Sequence, residues 1–300
     1  MSKRNKKGRD IDGVFVLDKS SGTSSNSALQ QVKRLFGANK AGHTGSLDPL
    51  ASGLLPICLG QSTKVAQFLL DDDKRYFVRG KLGEVSDTGD SDGKISQYGS
   101  TSGIDETTIK DSLKKFVGVI SQVPPMFSAL KKNGTPLYKL ARKGIEVERN
   151  PREVKIYEIQ FISLEANILT LEVSCSKGTY IRTLIEDIGK HLNCGGHVIE
   201  LRRIGFAHLM IDQSKTFNDL REMSIDELDN LLIGSDEMIP NLRSIYLDYD
   251  QSSDIQFGRK IKWSELDSPQ KVKLYDANRR FVGIGESNGS SEVLPKRLFI

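Results

Sequence analysis

Cysteine is scarce in this sequence, which has three in 300 residues, at positions 58, 175 and 194. Such widely spaced cysteines cannot build a disulfide framework, and they lack the paired spacing of a zinc site. No run of about 20 apolar residues occurs, which excludes a membrane-spanning helix. The apolar run from Gly13 to Leu17 is too short for a signal peptide, so we expect a cytoplasmic protein.

Proline is also infrequent, with 9 residues, and the contents of hydrophobic residues (37%) and charged residues (27%) are those of a folded soluble protein. A chain of this length can bury a sizeable core and form about one to three domains. The formal net charge is +4, and five basic residues against one acid within residues 1–10 account for all of it. The overall charge therefore says little about a partner.

Positive charge is concentrated from Lys131 to Lys155, where eight basic residues accompany three acids. This excess predicts a phosphate-binding surface, and the alternative is a solvated helix face. Tyr138, Pro136 and two glycines within the run favour an RNA-facing loop and short helix. The candidate phosphate contacts are Lys131, Lys132, Arg142 and Lys143. The acidic segment 216–240 is expected to face away from nucleic acid.

A single carboxylate, Asp48, lies in the glycine-rich segment KAGHTGSLDPLASGLL, residues 40–55. The glycines permit backbone shapes that other residues disfavour, and Pro49 biases Asp48 toward an extended conformation. The carboxylate should therefore project from a turn, the alternative being an ordinary Asx turn. Residues 37–44 approach the P-loop pattern, but His43 replaces its lysine, so no nucleotide cofactor is expected. No metal site is indicated.

Hydrophobic periodicity predicts a mixed order of strands and helices. Alternating apolar residues from Leu169 to Cys175 give the clearest strand, and Thr179 is expected to cap the helix that follows. Arg182 would lie in the first turn of that helix, against the helix dipole, so we expect a specific partner or a surface ion pair. The other predictions are strands at 13–18 and 76–82, helices after Ser24 or Ser25, over 63–70 and around 109–116, and an acidic loop at 84–93.

From about residue 246 the sequence changes to short alternating segments separated by Gly, Asn and Ser. The segments 271–275, 281–284 and 292–298 are predicted strands, so a small β domain is expected here.

Six segments resemble, in order, the motifs of the TruB-type tRNA pseudouridine synthases, which modify uridine 55 in the T arm. The similarity covers nearly the whole chain. The segments are GVFVLDKSSGTSS (13–25), KAGHTGSLDPLASGLLPICLGQSTK (40–64), DKRYFVRGKLG (73–83), PPMFSALKKNGTPLYKLARKGIEVER (124–149), SCSKGTYIRTLIEDIG (174–189) and GGHVIELRRIGF (195–206).

The resemblance implies an α+β fold in which a mainly antiparallel sheet forms a catalytic domain at residues 1–245. A thumb-like insertion at about 124–152 would grip the T stem-loop, and residues 246–300 would form an RNA-binding domain of the PUA type. The expected partner is the T-arm stem-loop of tRNA, with no membrane partner and with a monomeric protein. Isomerisation of uridine to pseudouridine needs no ATP, redox cofactor or metal.

The resemblance also implies roles for individual residues. Asp48 corresponds to the catalytic nucleophile, Arg182 to the arginine that pairs with it, and Tyr76 to the aromatic that stacks on the flipped uracil. The substrate-contacting positions correspond to His43, Tyr180 and the backbone near Leu201. Lys19 and Lys64 fall in motif positions and are expected to be structural residues or phosphate contacts. Whether Asp48 attacks C1′ or C6, or a glycal forms, stays open.

Two other functional classes are compatible with these residues. A non-catalytic tRNA-binding or folding-assistance protein could use the same groove. A glycoside hydrolase or base-excising glycosylase also cleaves a glycosidic bond with a carboxylate. The segment around Asp48 contains no second acid to activate water, which disfavours hydrolysis.

Overall fold

The computed structural model describes residues 8–299, so the basic residues Lys3, Arg4, Lys6 and Lys7 lie outside the described part. Residues 8–242 form a large sheet with helices on it, and residues 243–299 contain a second sheet. The strands of the first part are β1 (Gly13–Lys19), β2 (Ala41–His43), β3 (Ser52–Leu59), β4 (Lys74–Leu82), β5 (Glu84–Ser86), β6 (Ile95–Gln97), β7 (Gly118–Gln122), β8 (Lys131–Lys132), β9 (Thr135–Pro136), β10 (Arg152–Glu165), β11 (Ile168–Cys175), β12 (Gly196–Phe206) and β13 (Leu209–Met210).

The helices of this part are α1 (Ser25–Leu35), α2 (Ala66–Leu69), α3 (Glu106–Leu113), α4 (Leu137–Ala141), α5 (Ile181–His191), α6 (Phe217–Leu220) and α7 (Ile225–Asp229). Short 3₁₀ helices lie at Gly60–Lys64, Lys114–Phe116 and Ile211–Gln213. Within residues 8–299 no helix is long and apolar enough to cross a membrane.

The large sheet has the strand order β1-β3-β12-β4-β11-β10-β7, with β2 added to β3 and β13 added to β12. Neighbouring strands run antiparallel except β12 and β3, which are parallel. The predicted mainly antiparallel α+β architecture is confirmed. The order places β4 in the middle of the sheet, so a side chain near the start of β4 lies between residues of β11 and β12.

Local sequence explains several of these elements. The alternation in β11 places Leu169, Leu171, Val173 and Cys175 in the core, as predicted, at 0% exposure. The predicted cap of α1 is confirmed, because the Ser24 side chain accepts a hydrogen bond from the N–H of Ser27. Helices α1 and α5 contribute their apolar faces to the largest core cluster, which they share with the sheet.

Two local predictions were wrong, and the helical segment predicted at 63–70 is present but not as one continuous helix. Residues 84–93 are not wholly loop, because β5 pairs with β6 in a small hairpin. The segment 63–70 is divided between a 3₁₀ helix and the short helix α2. Thr179 does not cap α5: the N-cap is Tyr180, without a side-chain cap bond, and the Thr179 hydroxyl donates to the Ser176 carbonyl at 2.9 Å.

The basic insertion leaves the sheet at the end of β7 and returns at the start of β10. Between them lie the two-stranded hairpin of β8 and β9 and the single short helix α4. We call residues 124–152 the thumb. Apolar anchoring there is sparse, with Leu137 buried and Ile145 46% exposed.

The C-terminal part contains β14 (Arg243–Tyr246), α8 (Tyr249–Gln256), β15 (Ile261–Lys262), β16 (Pro269–Tyr275), β17 (Phe281–Asn288) and β18 (Glu292–Leu298). The five strands form one sheet in the order β14-β16-β17-β18-β15. The three strands predicted from the sequence are present as β16, β17 and β18.

The two parts share an apolar cluster. Leu54 of β3 and Phe206 of β12 pack in the same cluster as Ile284 of β17 and Phe299. The ammonium of Lys64 donates to the Leu298 carbonyl at 2.5 Å and lies 5.7 Å from the centre of the Phe299 ring. The C-terminal sheet is therefore packed directly against the large sheet.

Candidate active site

Asp48 lies in the turn between β2 and β3, and both sides of this turn are anchored. Ser25 at the start of α1 accepts from the Leu47 N–H at 2.7 Å and donates to the Leu47 carbonyl at 2.9 Å. Leu47 and Ala51 are buried, whereas the Asp48 side chain is 41% exposed. Gly53 has φ +99°, and a Cβ there would lie 2.3 Å from the Arg203 carbonyl oxygen, so only glycine fits. The loop thus presents the carboxylate outward from a fixed backbone.

Arg182 pairs with this carboxylate. Its Nη2 lies 2.8 Å from Asp48 Oδ2 and also donates to the Phe127 carbonyl at 2.8 Å. On the other side, Nη1 donates to the Thr88 carbonyl at 2.8 Å and lies 3.3 Å from Asp90 Oδ2. The side chain is 4% exposed, so the guanidinium is a buried charge held by two carboxylates and two carbonyls. The specific partner that its position predicted is present.

Asp90 was missed by the sequence analysis. It is 5% exposed and its Oδ1 accepts from the Thr88 hydroxyl at 2.6 Å and from the Asp92 N–H at 3.2 Å. A second acid therefore does lie near Asp48, contrary to the expectation from the sequence. Asp90 is nevertheless on the far side of Arg182 and is buried among these donors. The only sequence signal was an acid in a glycine-punctuated loop.

The carboxylates and the guanidinium influence one another. Burial raises the pKa of Asp48, the Arg182 charge opposes that rise, and the Asp90 charge adds to it. Ionised Asp48 therefore depends on Arg182 more than an exposed aspartate would. The buried Lys19 ammonium also lies within electrostatic reach of Asp48, and burial lowers its pKa to about 8.

Tyr76 lies on β4, paired across the ladders with Arg203 of β12 and Val173 of β11. Burial raises the pKa of the Tyr76 phenol, and the Arg203 guanidinium opposes this rise. Arg203 is 1% exposed and donates to the Leu54 carbonyl at 2.7 Å and the Gly45 carbonyl at 3.3 Å. Arg203 was not among the residues predicted from the sequence. It connects strand β12, where it is paired with Tyr76, to the loop that carries Asp48.

The predicted substrate-contacting residues lie on three elements of the large domain, and one of them, Tyr180, lies within electrostatic reach of Asp48. Tyr180, at the N-terminus of α5, is half-buried; burial raises the pKa of its phenol and the Asp48 charge adds to that rise. Leu201 is buried on β12, opposite Val78 of β4. His43 ends β2, half-buried, and its pKa is lowered first by burial and then by the Arg203 charge.

Lys19 and Lys64 bind protein carbonyls. Lys19 is 0% exposed and its ammonium donates to the carbonyls of Ser20 (2.9 Å) and Thr23 (2.7 Å). Lys64 donates to the carbonyl of Leu298, as described above. For both lysines these contacts agree with the structural role, which was one of the two alternatives. The Lys19 ammonium is also fully buried, so it does not reach a phosphate.

Family comparisons cover most of the chain. Residues 33–181 match the N-terminal domain of the TruB family pseudouridylate synthases. Residues 182–240 match the tRNA pseudouridylate synthase B C-terminal domain, and residues 244–299 match the C-terminal region of pseudouridine synthase II TruB.

Curated relatives agree with these matches along the full length. The tRNA pseudouridine synthase B of Actinobacillus pleuropneumoniae serotype 5b is 48% identical over 303 residues, with 99% of each chain covered. That of Mannheimia succiniciproducens is 49% identical with the same coverage. That of Haemophilus influenzae (strain Rd) is 50% identical over 289 residues, covering 95% of this chain and 92% of the relative. The chain belongs to the TruB family of pseudouridylate synthases.

Solved structures show the same fold at lower identity. A Cbf5-Nop10-Gar1 complex contains a chain with TM-score 0.72 and 24% identity, covering 96% of this TruB-family chain and 85% of that one. An archaeal box H/ACA sRNP Nop10-Cbf5 complex gives TM-score 0.72 and 22% identity, covering 100% and 93%. The similarity therefore extends over both sheets.

The thumb of this TruB-family chain presents its cations to solvent. Lys131 and Lys132 are exposed on β8, and the Lys132 ammonium donates to the Glu148 carbonyl at 3.2 Å. Arg142 is exposed beyond α4 with its guanidinium 5.6 Å from the centre of the Tyr138 ring, and Lys143 is exposed beside it. Within residues 8–299 no group of three or more His, Cys, Asp or Glu side chains could hold a metal ion.

Proposed function

We propose that this protein is a tRNA pseudouridine synthase that isomerises uridine 55 in the T-arm loop, with Asp48 as the nucleophile. The observation that carries the proposal is the asymmetry of the ion pair: the Asp48 carboxylate is 41% exposed while its partner Arg182 is 4% exposed. A buried guanidinium that fixes an accessible carboxylate keeps the acid ionised and aimed at an incoming group. The family membership and the full-length relatives named tRNA pseudouridine synthase B support the substrate class.

The proposed reaction is an isomerisation, so nothing is added to the nucleoside. The N1–C1′ bond breaks while Asp48 attacks the uridine, the detached uracil turns within the site, and a C5–C1′ bond forms. The bond to Asp48 breaks again, which returns the carboxylate. The proton on C5 is then lost and N1 gains one, which balances the atoms without water. A uridine has to leave its stack to reach Asp48, and stacking on Tyr76 would offset part of that cost, about 1–3 kcal/mol per base.

The thumb supports the RNA part of the proposal. Its exposed cations, Lys131, Lys132, Arg142 and Lys143, would bind the phosphates of the T stem-loop. Phe127 at the base of the thumb touches Arg182, so the surface proposed for RNA begins next to the proposed nucleophile.

The decisive experiment is Asp48→Asn on an unmodified T-arm stem-loop transcript. We expect single-turnover pseudouridine formation to fall by about 10⁴-fold or more, because loss of a nucleophile removes the covalent route. RNA affinity should change little. The matched control is Asp111→Asn, an exposed acid on α3, which should retain full activity.

Three outcomes would contradict the proposal. Conversion by Asp48→Asn at the normal rate would remove Asp48 as nucleophile, and binding without conversion by the unaltered protein would favour a tRNA-binding protein. Release of free uracil would indicate a glycosylase. The position is tested with a transcript in which cytidine replaces only uridine 55, which should yield no pseudouridine.

A further inference from the structure

The end of β7 and the start of helix α5 meet at one side chain. Gln122 is the last residue of β7, two positions before the thumb begins, and it is 1% exposed. We infer that Gln122 is a positioning residue that fixes the start of α5, and with it Tyr180 and Arg182, relative to the thumb. The inference rests on the proposed function, because Tyr180 and Arg182 matter through the RNA reaction.

Gln122 binds both backbone polar groups of Tyr180. The Tyr180 N–H donates to Gln122 Oε1 at 3.1 Å, and Gln122 Nε2 donates to the Tyr180 carbonyl at 3.3 Å. A side-chain amide can accept and donate in this way at once, whatever the pH. The amide therefore fixes the orientation of the Tyr180 peptide groups as well as their position.

Helix α5 needs this contact because its own sequence gives it no cap. Its N-cap residue is Tyr180, without a side-chain cap bond, and the neighbouring Thr179 hydroxyl donates backwards to Ser176. The backbone N–H groups at a helix start need partners. Gln122 supplies one from 58 positions away in the sequence.

The position of the Tyr180 backbone affects the ion pair between Arg182 and Asp48. Arg182 is two residues after Tyr180, and its Nη2 contacts both Asp48 and the Phe127 carbonyl. The start of α5 is thus held at two points, by the Gln122 amide at the end of β7 and by the Phe127 carbonyl in the thumb. A displaced Tyr180 backbone would move Arg182 off Asp48, and a misplacement of about 1 Å costs about 10²-fold in rate.

The test measures single-turnover rate at saturating T-arm transcript, RNA affinity and melting temperature for Gln122→Ala and Gln122→Glu. Gln97→Ala and Gln97→Glu, at an exposed glutamine on β6, are the matched controls. We expect Gln122→Ala to lose about 10- to 100-fold in rate, with affinity changed by less than about threefold. All assays are run at least about 15 °C below the melting temperature of the variant, so that unfolding does not contribute.

Gln122→Glu separates positioning from simple packing. Ionised glutamate accepts from the Tyr180 N–H but cannot donate to its carbonyl, whereas protonated glutamate can do both. Burial raises the pKa of a carboxyl group. The rate of Gln122→Glu divided by that of the unaltered protein should therefore rise as pH falls from about 8 to about 5.5, while the Gln97→Glu ratio stays flat.

A normal rate for Gln122→Ala at saturating RNA would overturn the inference, and so would a loss confined to affinity or a pH-independent Gln122→Glu ratio. The unaltered protein distinguishes failure of the proposed function from failure of this inference. If it forms no pseudouridine, the proposed function and this inference both fail. If it does and Gln122→Ala matches it, this inference alone fails.

Discussion

The buried ion cluster and the thumb are built on opposite physical principles, although they touch at Phe127. In the cluster of Asp48, Arg182 and Asp90, Arg182 and Asp90 are almost fully buried and each charge has a named partner at 2.8 to 3.3 Å. In the thumb, Lys131, Lys132, Arg142 and Lys143 are exposed to solvent, and few apolar side chains hold the segment to the sheet. The first region suits exact positioning, and the second suits long-range attraction to a polyanion.

This difference predicts how each region responds to substitution. A buried charge that loses its partner is left without compensation, so single changes in the cluster should be severe and insensitive to salt. Exposed cations act additively and are screened, so single changes in the thumb should be small and strongly dependent on salt. Equal salt dependence of substitutions in the two regions would contradict this difference.

The largest expected effect is in the cluster. Arg182→Gln leaves Asp48 and Asp90 without their shared counter-ion, which should raise the pKa of Asp48 further and misplace its carboxylate. We expect the single-turnover rate to fall by about 10³-fold at any salt concentration, with RNA affinity nearly unchanged. Arg79→Gln, at an exposed arginine paired with Glu200, is the control and should be active. A salt-dependent loss would place Arg182 with the thumb cations.

A smaller effect is expected in the thumb. The variant replaces Lys131, Lys132, Arg142 and Lys143 together by glutamine. Affinity for the T-arm transcript at low salt should fall by about 10²-fold, and the slope of log K against log salt should flatten by up to about 3. The rate at saturating RNA should stay normal. The control replaces two other exposed lysines, Lys110→Gln on α3 and Lys114→Gln in the 3₁₀ helix that follows it. An unchanged slope in the thumb variant would exclude the thumb from the RNA footprint.

The smallest effect is expected in the pH dependence of the rate. In the proposed mechanism Asp48 acts in its ionised form, so activity should fall as the pH drops through the raised pKa of Asp48. Asp90→Asn removes a charge that raises the Asp48 pKa, so the acid limb of the pH–rate profile should move to lower pH. At neutral pH we expect about a tenfold loss from weaker anchoring of Arg182. A limb that stays in place or moves to higher pH would contradict the assigned coupling.

Features with a local sequence signal could be predicted. The alternation of β11, the serine cap of α1 and three C-terminal strands were read from periodicity and capping residues, and the turn around Asp48 from its glycines and Pro49. Helix α5 shows the limit, because Thr179 has the right chemistry for a cap while the actual restraint on Tyr180 comes from Gln122.

Long-range contacts could not be predicted from the residues alone. Asp90 became part of the site only through folding, since Arg182 lies 94 positions from the Thr88 carbonyl that it also binds. The buried Arg203 reaches the Leu54 carbonyl across 149 positions. The partner of Lys64 could not be predicted either. The sequence around a lysine does not show whether its ammonium binds a phosphate or, as here, a backbone carbonyl.

The apolar cluster shared by the two sheets has a geometric consequence. Phe299 and Ile284 pack with Phe206, so the C-terminal part cannot pivot on a linker without opening that cluster. The span from Asp48 to the exposed Arg279 and Arg280 is then set by packing. Because this distance is fixed, an RNA that contacts both ends has to match it in length.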